Sequence, residues 1–258
     1  MNKIFCTIIF VIILTSPLFT LAQRDNTSWV SANMGVNTDW ILNQNTYGNP
    51  EMAYRSKFNF SGDVSFKKFT NGYGYSVGIG IGNLGQNYSD KMAGADAKRS
   101  LSLTYLQLPV MGMYNLGGYN AQRWLSFGAQ FMYLLSAKQV FNRSEGRSLA
   151  NPEMLLLGNT DVIKQFKPYD MMLRFEFTNI YPLAVSNKIK TLVSFNGAYG
   201  LIDINNKEYR IPNAHNVYAG SHNLYLGIHV GIMYNLKEKS RYTIKSHGRK
   251  HVIKPFNR

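Results

Sequence analysis

Charged side chains occur in two pairs whose spacing places both members on one face of a β-strand. Asp63 and Lys67 are four residues apart, and Arg174 and Glu176 are two residues apart. Because side chains alternate along a strand, an even spacing puts both members on the same face. Charges that are held away from water must be paired or hydrated. These four residues therefore predict a polar cluster in an interior, either a structural ion-pair network or a polar path for a small solute.

Three histidines, His215, His222 and His229, lie close together near the end of the chain. Their spacing of seven does not match a strand-based metal site, so the sequence predicts neither a metal site nor a cofactor. His229 falls on the polar face of a strand, whereas His222 follows Ser221 near a strand end. A histidine beside a serine can support nucleophilic chemistry, but no defined motif surrounds this pair. We predict ordinary polar roles for these residues and no catalytic site.

The spacing Gly78-x-Gly80-x-Gly82 resembles a dinucleotide-binding loop. Such a loop must lie between a strand and a helix, where the helix N-terminus receives the phosphates. Here the glycines alternate with Ile79 and Ile81 inside a strand pattern, and no helix pattern follows. The glycines therefore predict close packing of small residues in a narrow interior.

The elements that must position these residues are eight segments in which apolar residues occupy every second position. They cover about residues 29–36, 58–67, 73–82, 101–116, 125–135, 169–178, 193–201 and 224–236. A period of two predicts a β-strand with one apolar face. The last segment is the clearest, because its apolar positions from Leu224 to Leu236 alternate with small or polar residues. In the fourth segment the phase changes between Tyr105 and Leu106, which indicates a β-bulge or a change of environment.

The connections alternate between short turns and long polar loops. Short turns are predicted at Asn71-Gly72, around Gly117-Gly118 and around residues 186–188, and long loops at about 43–55, 85–99, 139–167 and 205–221. This arrangement is typical of an eight-stranded antiparallel transmembrane β-barrel, with short periplasmic turns and long outer loops. Both chain termini would then lie in the periplasm. Because an open sheet edge is not viable in hydrocarbon, the last strand should pair with the first.

The composition of the two strand faces separates a membrane barrel from a soluble one. A soluble lipocalin-like barrel would carry its apolar face inside and a charged face outside. Here the second face is mostly Gly, Ser, Asn and Gln, which suits a narrow lumen, and charged residues make up only 16% of the chain. Tyr73, Tyr114 and Tyr234 are expected in an aromatic girdle at the periplasmic ends, whereas Trp29 and Trp124 have inward parity.

Residues 1–22 have the features of a cleavable secretory signal. Lys3 precedes an apolar run over residues 4–14, and cleavage is expected after Ala22. The only cysteine, Cys6, would be lost with the signal, which excludes disulfides and thiolate metal sites in the mature chain. The sequence thus divides into a signal peptide at 1–22, a barrel at 23–236 and a basic segment at 237–258.

The segment from 237 to 258, the basic tail, carries half of the formal net charge of +14. It has one acidic residue, Glu238, and eight basic residues: Lys237, Lys239, Arg241, Lys245, Arg249, Lys250, Lys254 and Arg258. An exported protein has little access to nucleic acid, so we expect no nucleic-acid partner. An acidic periplasmic protein or an anionic cell-wall polymer is the predicted partner of the tail, beside the outer-membrane lipid around the barrel.

Several of these features together resemble a known family. They are the signal ending Leu21-Ala22-Gln23, the strand with Gly78, Gly80 and Gly82, and the stretch Tyr105-Leu106-Gln107-Leu108-Pro109. The chain is similar to the outer-membrane β-barrel family of Bacteroidota that includes PorT-like proteins. The resemblance implies an outer-membrane barrel over about residues 23–236 and, through some PorT-like members, a link to type IX secretion. Outer-membrane barrels usually end on an aromatic residue of the last strand, whereas this chain continues past Leu236.

The leading functional hypothesis is a non-enzymatic structural or interaction protein, an accessory of an envelope or type IX secretion assembly in a Gram-negative bacterium. Three alternatives remain open: a small-solute channel, an outer-leaflet lipid-modifying enzyme and a soluble lipocalin-like binder. An eight-stranded barrel has an interior just wide enough for side chains, which argues against an open pore.

Overall fold

The strands form almost wherever apolar residues alternate. A computed structural model describes residues 27–43, 53–92, 95–117, 122–143, 158–183, 186–210 and 217–236. The strands are β1 Thr27–Leu42, β2 Ala53–Arg55, β3 Lys57–Thr70, β4 Tyr73–Met92, β5 Ala95–Gly117, β6 Gln122–Arg143, β7 Gly158–Asp161, β8 Tyr169–Leu183, β9 Ser186–Gly200 and β10 His222–Asn235. Two short 3-10 helices cover Ile163–Gln165 and Lys207–Tyr209. No helix in these ranges is long and apolar enough to cross a membrane.

Eight of the ten strands close into an antiparallel barrel. Their order around the barrel is β1, β3, β4, β5, β6, β8, β9 and β10, and β10 pairs with β1. The closing register joins Val30 to Tyr234 and Val36 to Ile228, which confirms the predicted pairing of the last strand with the first. The two remaining strands are short additions, β2 on β4 and β7 on β6. The predicted eight-stranded fold is therefore confirmed.

One end of the barrel, the turn end, holds the short connections. Asn71 and Gly72 join β3 to β4 with φ values of 49° and 85°. Positive φ at both central residues is the geometry of a type I′ hairpin turn, which favours Asn-Gly. At the same end, Leu183 of β8 pairs with Ser186 of β9. The turn expected around residues 186–188 is therefore misplaced, since those residues begin β9. The opposite end, the loop end, holds the longer connections between β1 and β3, β6 and β8, and β9 and β10, whereas only residues 93–94 separate β4 from β5 there.

The outward face of the strands forms a continuous surface of large apolar side chains, the apolar belt. It consists of Val30, Met34, Val36, Phe58, Phe60, Val64, Phe66, Tyr73, Tyr75, Val77, Ile79, Ile81, Leu108, Val110, Tyr114, Leu125, Phe127, Phe131, Tyr133, Leu173, Phe175, Val193, Phe195, Ile228, Val230, Ile232 and Tyr234, all exposed. A soluble barrel would bury this face. The belt is the surface that a barrel presents to lipid, so the lipocalin-like alternative is wrong.

Aromatic side chains lie at the turn end of the belt as expected. Tyr73 and Tyr114 pair across β4 and β5, with ring centroids 5.3 Å apart. Tyr234 is exposed at the same end, whereas Trp29 and Trp124 are buried in the lumen. The prediction that both tryptophans face inward is therefore confirmed.

Inside the barrel, a polar layer lies between two apolar clusters. The turn-end cluster consists of Trp29, Phe69, Met113, Trp124, Ile180, Leu192 and Met233. The loop-end cluster consists of Ile41, Leu84, Leu101, Leu103, Tyr105, Met132, Leu134, Ala137, Val162, Phe166, Met172, Ala198, Ile204 and Tyr225. Between them the strands bury Ser, Asn, Gln and charged side chains, which include Lys67, Arg174 and Glu176.

The strands β4, β5 and β6 rise beyond the belt at the loop end as a three-stranded wall. The sequence predicts loops at 85–99 and 139–143. In the structure, β4 continues to Met92, β5 begins at Ala95 and β6 continues to Arg143. Their polar outward residues suggested a loop, but the wall stands above the belt, where the outward face is polar and the inward face apolar. This inversion explains the phase change: β5 buries Leu101, Leu103 and Tyr105, then Gln107, without changing face. A register shift against β6 lies beside it, between Thr104 and Tyr105.

Candidate functional site

The polar layer is built around the carboxylate of Glu176 on β8. Arg174, two residues earlier on the same inward face, places Nη2 2.8 Å from Oε2 of Glu176. Lys67 reaches across the lumen from β3 and holds Nζ 3.7 Å from Oε1. The hydroxyl of Thr178 donates to Oε1 at 2.8 Å. All four side chains are buried, so the carboxylate neutralises one of two cations and accepts charge-assisted hydrogen bonds.

Neutral side chains extend this network to two further strands. Nη1 of Arg174 donates to Oε1 of Gln130 on β6 at 3.0 Å. The hydroxyl of Tyr225 on β10 donates to the same oxygen at 3.1 Å. The ion-pair network therefore ties β3, β8, β6 and β10 together across the lumen. Such a network makes the interior rigid as well as polar.

Asp63, which the sequence groups with Lys67, has a different environment. Its Oδ2 accepts a hydrogen bond of 2.8 Å from Nδ2 of Asn33 on the neighbouring strand β1. Among the described residues, the ion pairs of the lumen join Lys67 and Arg174 to Glu176. The structure thus brings together three of the four predicted charged residues and places Asp63 beside them.

His229 lies in the lumen, as its position in the alternating pattern of β10 predicts. Its Nε2 lies 2.9 Å from Oγ of Ser61 and 3.2 Å from Oδ1 of Asn37, and Nδ2 of Asn37 donates to the same Oγ at 2.9 Å. The imidazole packs directly against Gly35, where a Cβ would lie 1.9 Å from Cδ2 of His229. Sequence reasoning missed this contact, whose only signal is a glycine opposite a large inward residue.

The three glycines of β4 face the lumen where a larger residue has no room. A Cβ at Gly78 would lie 2.9 Å from Cβ of Ser65, and one at Gly80 would lie 2.5 Å from the carbonyl oxygen of Gly62. A Cβ at Gly82 would meet Nε2 of Gln107 at 2.4 Å. These contacts agree with the prediction that the glycines pack the interior.

Ser221 and His222 lie at the loop end with separate partners. The Ser221 hydroxyl donates to the carbonyl oxygen of Asn43 at 3.0 Å and accepts from Nδ2 of Asn205 at 2.9 Å. The His222 ring stacks on Tyr199, with centroids 5.7 Å apart. The hydroxyl proton that a base would remove therefore points to a backbone carbonyl. His215 lies outside the described residues.

A second charged centre, which sequence reasoning missed, holds the loops at the loop end. The carboxylate of Asp203 lies 2.7 Å from Nη2 of Arg210 and 3.9 Å from Nζ of Lys167. It also accepts hydrogen bonds from the Tyr218 hydroxyl at 2.8 Å and from the Ser221 amide at 3.0 Å. We call these five residues the loop clamp. Lys167 comes from the segment before β8, and the other four residues lie in one loop without periodicity, so no local spacing marks them.

The surroundings of Asp203 favour its ionised form. Partial burial opposes ionisation, but the hydrogen bonds from Ser221 and Tyr218 and the charge of Lys167 outweigh it, so the pKa of Asp203 is lowered. Burial and the hydrogen bond to Asp203 raise the pKa of Tyr218. The clamp is therefore an ionic contact at neutral pH.

The signal at 1–22 and the basic tail at 237–258, with its eight cations, lie outside the described residues. The structure therefore tests neither of them.

An apolar belt around a closed antiparallel barrel with a polar lumen defines the class of β-barrel proteins of outer membranes. Residues 21–206 match the family described as outer membrane protein beta-barrel domain. The chain belongs to this family.

Solved structures also match this chain over most of their own length. They include a major outer membrane protein from Thermus thermophilus (11% identity, TM-score 0.44, 82% of this chain and 100% of that one). Neisserial surface protein A matches with 10% identity and a TM-score of 0.41 over 82% of this chain and 99% of its own. OprG from Pseudomonas aeruginosa matches with 10% identity and a TM-score of 0.40 over 82% and 97%. Among curated proteins, none matches this chain.

Proposed function

We propose that the protein is a non-enzymatic structural or interaction component of the outer envelope of a Gram-negative bacterium. The observation that carries the proposal is the filled lumen. An apolar cluster occupies each end of the barrel, and the Lys67–Glu176–Arg174 network occupies the space between them. A barrel packed in this way offers its outer surfaces, rather than its interior, to other molecules.

The arrangement of connections supports an orientation in the membrane. Short turns normally face the periplasm and long loops face the outside. In this orientation the turn end, with the first and last barrel strands, lies in the periplasm, and the wall and loop clamp lie outside. The chain would reach the membrane by export through the signal at 1–22, and the basic tail would start on the periplasmic side.

The basic tail supplies the proposed periplasmic contact. Its net charge of +7 suits an acidic periplasmic protein or an anionic cell-wall polymer. The resemblance to PorT-like proteins of Bacteroidota supports an accessory role in type IX secretion. The barrel would then anchor the tail, and through it a partner, to the outer membrane.

Electrical recording tests the filled lumen directly. The purified protein is inserted into planar bilayers and the current is measured at several salt concentrations. We expect no conductance steps, because the two apolar clusters and the ion network leave side chains along the whole described lumen. Regular conductance steps that survive removal of contaminating porins would contradict the proposal and favour a small-solute channel.

Lipid turnover tests the non-enzymatic part of the proposal. Purified protein is incubated with outer-membrane lipid, and the release of fatty acids is measured. We expect none, since the Ser221 hydroxyl donates to a backbone carbonyl and the ring of His222 stacks on Tyr199. Turnover that disappears in both Ser221→Ala and His222→Ala would show that the protein is a lipid-modifying enzyme.

A further inference from the structure

The outward surface of the wall carries a cluster of cations immediately above the apolar belt. Arg55 on β2 and Lys98 on β5 are exposed there, and Nε of Arg55 donates to Oγ of Ser89 on β4 at 3.2 Å. Lys57 at the start of β3 adds a third cation, which reaches the same strands. We call Arg55, Lys57 and Lys98, with Ser89, Ser100 and Ser102, the cationic wall site.

Lys57 is held in place by the backbone and hydroxyls of β5. Its Nζ donates to Oγ of Ser100 at 3.1 Å, to the carbonyl oxygen of Leu101 at 2.9 Å and to Oγ of Ser102. Ser100 and Ser102 lie on the face of β5 opposite the buried Leu101, so the ammonium lies on the outer side of the sheet. Gly85 on β4 leaves room for this path, since a Cβ added at this position would lie 3.2 Å from Cδ of Lys57.

This geometry directs hydrogen-bond donors outward. A serine hydroxyl that accepts from an ammonium still has its own proton to donate. Ser100 and Ser102 each accept from Lys57, so each can donate to an anion beside the wall. The Lys57 ammonium, whose three protons are already donated, adds positive charge beside two hydroxyls that can donate, and this arrangement suits a phosphate oxygen.

An open cavity of about 330 Å³ lies at this position. Its described lining includes Arg55 and Lys98 with Ser89 and Ser100, and none of the nine lining residues that the structure describes is acidic. Arg99 also lines the cavity, but its side chain is buried on the inward face of β5, where Nε donates to Oε1 of Gln139 at 2.7 Å. The described acids of the neighbouring strand ends, Asp96 and Asp161, do not line it. The cavity therefore combines positive charge with hydroxyl and amide groups, which is complementary to an anion that carries several oxygens.

The height of the site above the belt distinguishes the possible anions. On β5 the belt side ends near Leu106, which pairs with Ile81, and Ser102 and Ser100 lie four and six residues earlier in the chain, further from the belt. At about 3.3 Å per residue and a strand tilt of about 45°, the serines that hold the Lys57 ammonium lie roughly 9–14 Å above Leu106. A phospholipid headgroup layer is only about 5–8 Å deep. A phosphate at this height belongs to a larger, saccharide headgroup.

We infer that the cationic wall site binds a phosphate group on the saccharide headgroup of an outer-leaflet glycolipid. The inference rests on the proposed orientation, in which the loop end faces outward. Bound headgroups would surround the wall with anchored lipid and hold the loop end at a fixed height. The site lies on the outside of the barrel, so it is independent of the lumen network.

The test measures binding of rough-type lipopolysaccharide to the full-length protein in zwitterionic nanodiscs. Native lipopolysaccharide, the same lipid after chemical removal of its phosphates, phosphatidylglycerol and inorganic phosphate are compared. The double variant Arg55→Gln/Lys98→Gln is matched by Lys164→Gln/Lys207→Gln, which removes two exposed cations of the same end that do not line the cavity. We expect affinity for native lipopolysaccharide to fall about tenfold in the wall variant and less than about twofold in the control.

Each other outcome overturns the inference. Equal losses in the two double variants would indicate general charge attraction. Equal binding of native and dephosphorylated lipid would show that the phosphate is not required for binding. Phosphatidylglycerol or inorganic phosphate that binds as tightly as lipopolysaccharide would exclude a saccharide headgroup. Because binding is measured on purified protein, it does not depend on conductance or on periplasmic partners, which test the proposed function separately.

Discussion

Glu176 is the residue on which the charge balance of the lumen depends. It faces both Lys67 and Arg174 at salt-bridge distance, and all three side chains are buried. The substitution Glu176→Gln removes the only negative charge of this trio and leaves two buried cations together. Because uncompensated buried charges are costly, we expect the free energy of unfolding to fall by about 3–5 kcal/mol. Urea unfolding of the protein folded into lipid vesicles measures the change.

A matched control separates this effect from the loss of any carboxylate. Glu208→Gln, in an exposed 3-10 helix, should change the free energy of unfolding by less than about 0.5 kcal/mol. Replacing all three lumen residues, with Lys67→Met, Arg174→Met and Glu176→Leu, should restore much of the loss, since a buried ionic group can be exchanged for apolar residues. Similar effects of Glu176→Gln and Glu208→Gln would show that the network does not stabilise the barrel.

The glycines of β4 differ in what surrounds them, and this gives a graded prediction. A Cβ at Gly80 would meet the backbone carbonyl of Gly62 at 2.5 Å, whereas one at Gly82 would meet the flexible end of Gln107. Gly80→Ala should therefore destabilise the barrel by about 1–3 kcal/mol, and Gly82→Ala by less, because a side chain can move and a paired strand cannot. The same unfolding measurement in vesicles provides the comparison.

Two variants control for the change from glycine to alanine itself. At Gly112 the nearest atom to a Cβ, the carbonyl oxygen of Phe127, lies 3.7 Å away, so Gly112→Ala should be tolerated. Adding Gln107→Ala to Gly82→Ala should relieve the remaining cost of the latter. If Gly80→Ala were as stable as Gly112→Ala, the lumen would be looser than the structure describes.

At the residue scale, the sequence predicts partners that share a strand and misses those that the barrel brings together. Arg174 and Glu176 are two residues apart, so strand periodicity places them side by side. Lys67 joins them only because β3 and β8 face each other across the lumen. Asp203 was missed for a different reason, since its partners Arg210 and Tyr218 lie in a loop without periodicity.

At the scale of elements, the loop clamp fixes the connection after β9 to the segment before β8. The pKa of Asp203 is lowered, so its ionised form stabilises the folded loop above the ordinary value of 3.8, and this stability is lost as pH falls below 3.8. We expect hydrogen exchange of residues 201–210 and 217–221 to accelerate in that range while the barrel strands stay protected. Exchange followed by mass spectrometry as a function of pH measures this.

The substitution Asp203→Asn tests the same element at neutral pH. It removes the charge that holds Arg210 and Lys167 and should give fast loop exchange at every pH. Asp161→Asn is the control, because Asp161 also ends a strand at the loop end but accepts only from the amide of Ile163 in the hydrogen bonds that the structure describes. Loop exchange that stays slow and pH-independent in Asp203→Asn would contradict the role of the clamp.

The strand lengths show what periodicity alone can predict. The belt segments were predicted because an apolar outward face alternates with a small polar inward face. The wall was predicted as loop because its outward residues, such as Asn87 and Lys98, are polar. Only the change of phase near Tyr105 indicated that the surroundings of the strand change while the strand itself continues. Sequence patterns show which face of a strand meets apolar surroundings. In β5 this is the inward face within the wall and the outward face within the belt.

At the scale of the whole molecule, the barrel divides its surfaces by environment. The belt contacts lipid, an apolar cluster lies at each end of the lumen, and the wall and clamp shape the loop end. We expect a lumen packed in this way to keep the strands from shifting when a partner binds at either end. A partner at the turn end would therefore be held by the chain that leaves the barrel rather than by a change in the barrel itself.

The basic tail can be removed without touching a barrel contact that the structure describes. The pairing of β10 with β1 reaches Asn235, and the amide of Leu236 donates to the carbonyl oxygen of Ser28 at 2.8 Å, so closure is complete before residue 237. Deleting residues 237–258 should leave the free energy of unfolding unchanged but abolish salt-sensitive capture of periplasmic partners, because exposed charges are screened within about 8 Å at physiological ionic strength. Affinity capture from mild detergent at low and high salt, with full-length protein as control, measures this. Identical captured partners with and without the tail would remove it from the proposed function.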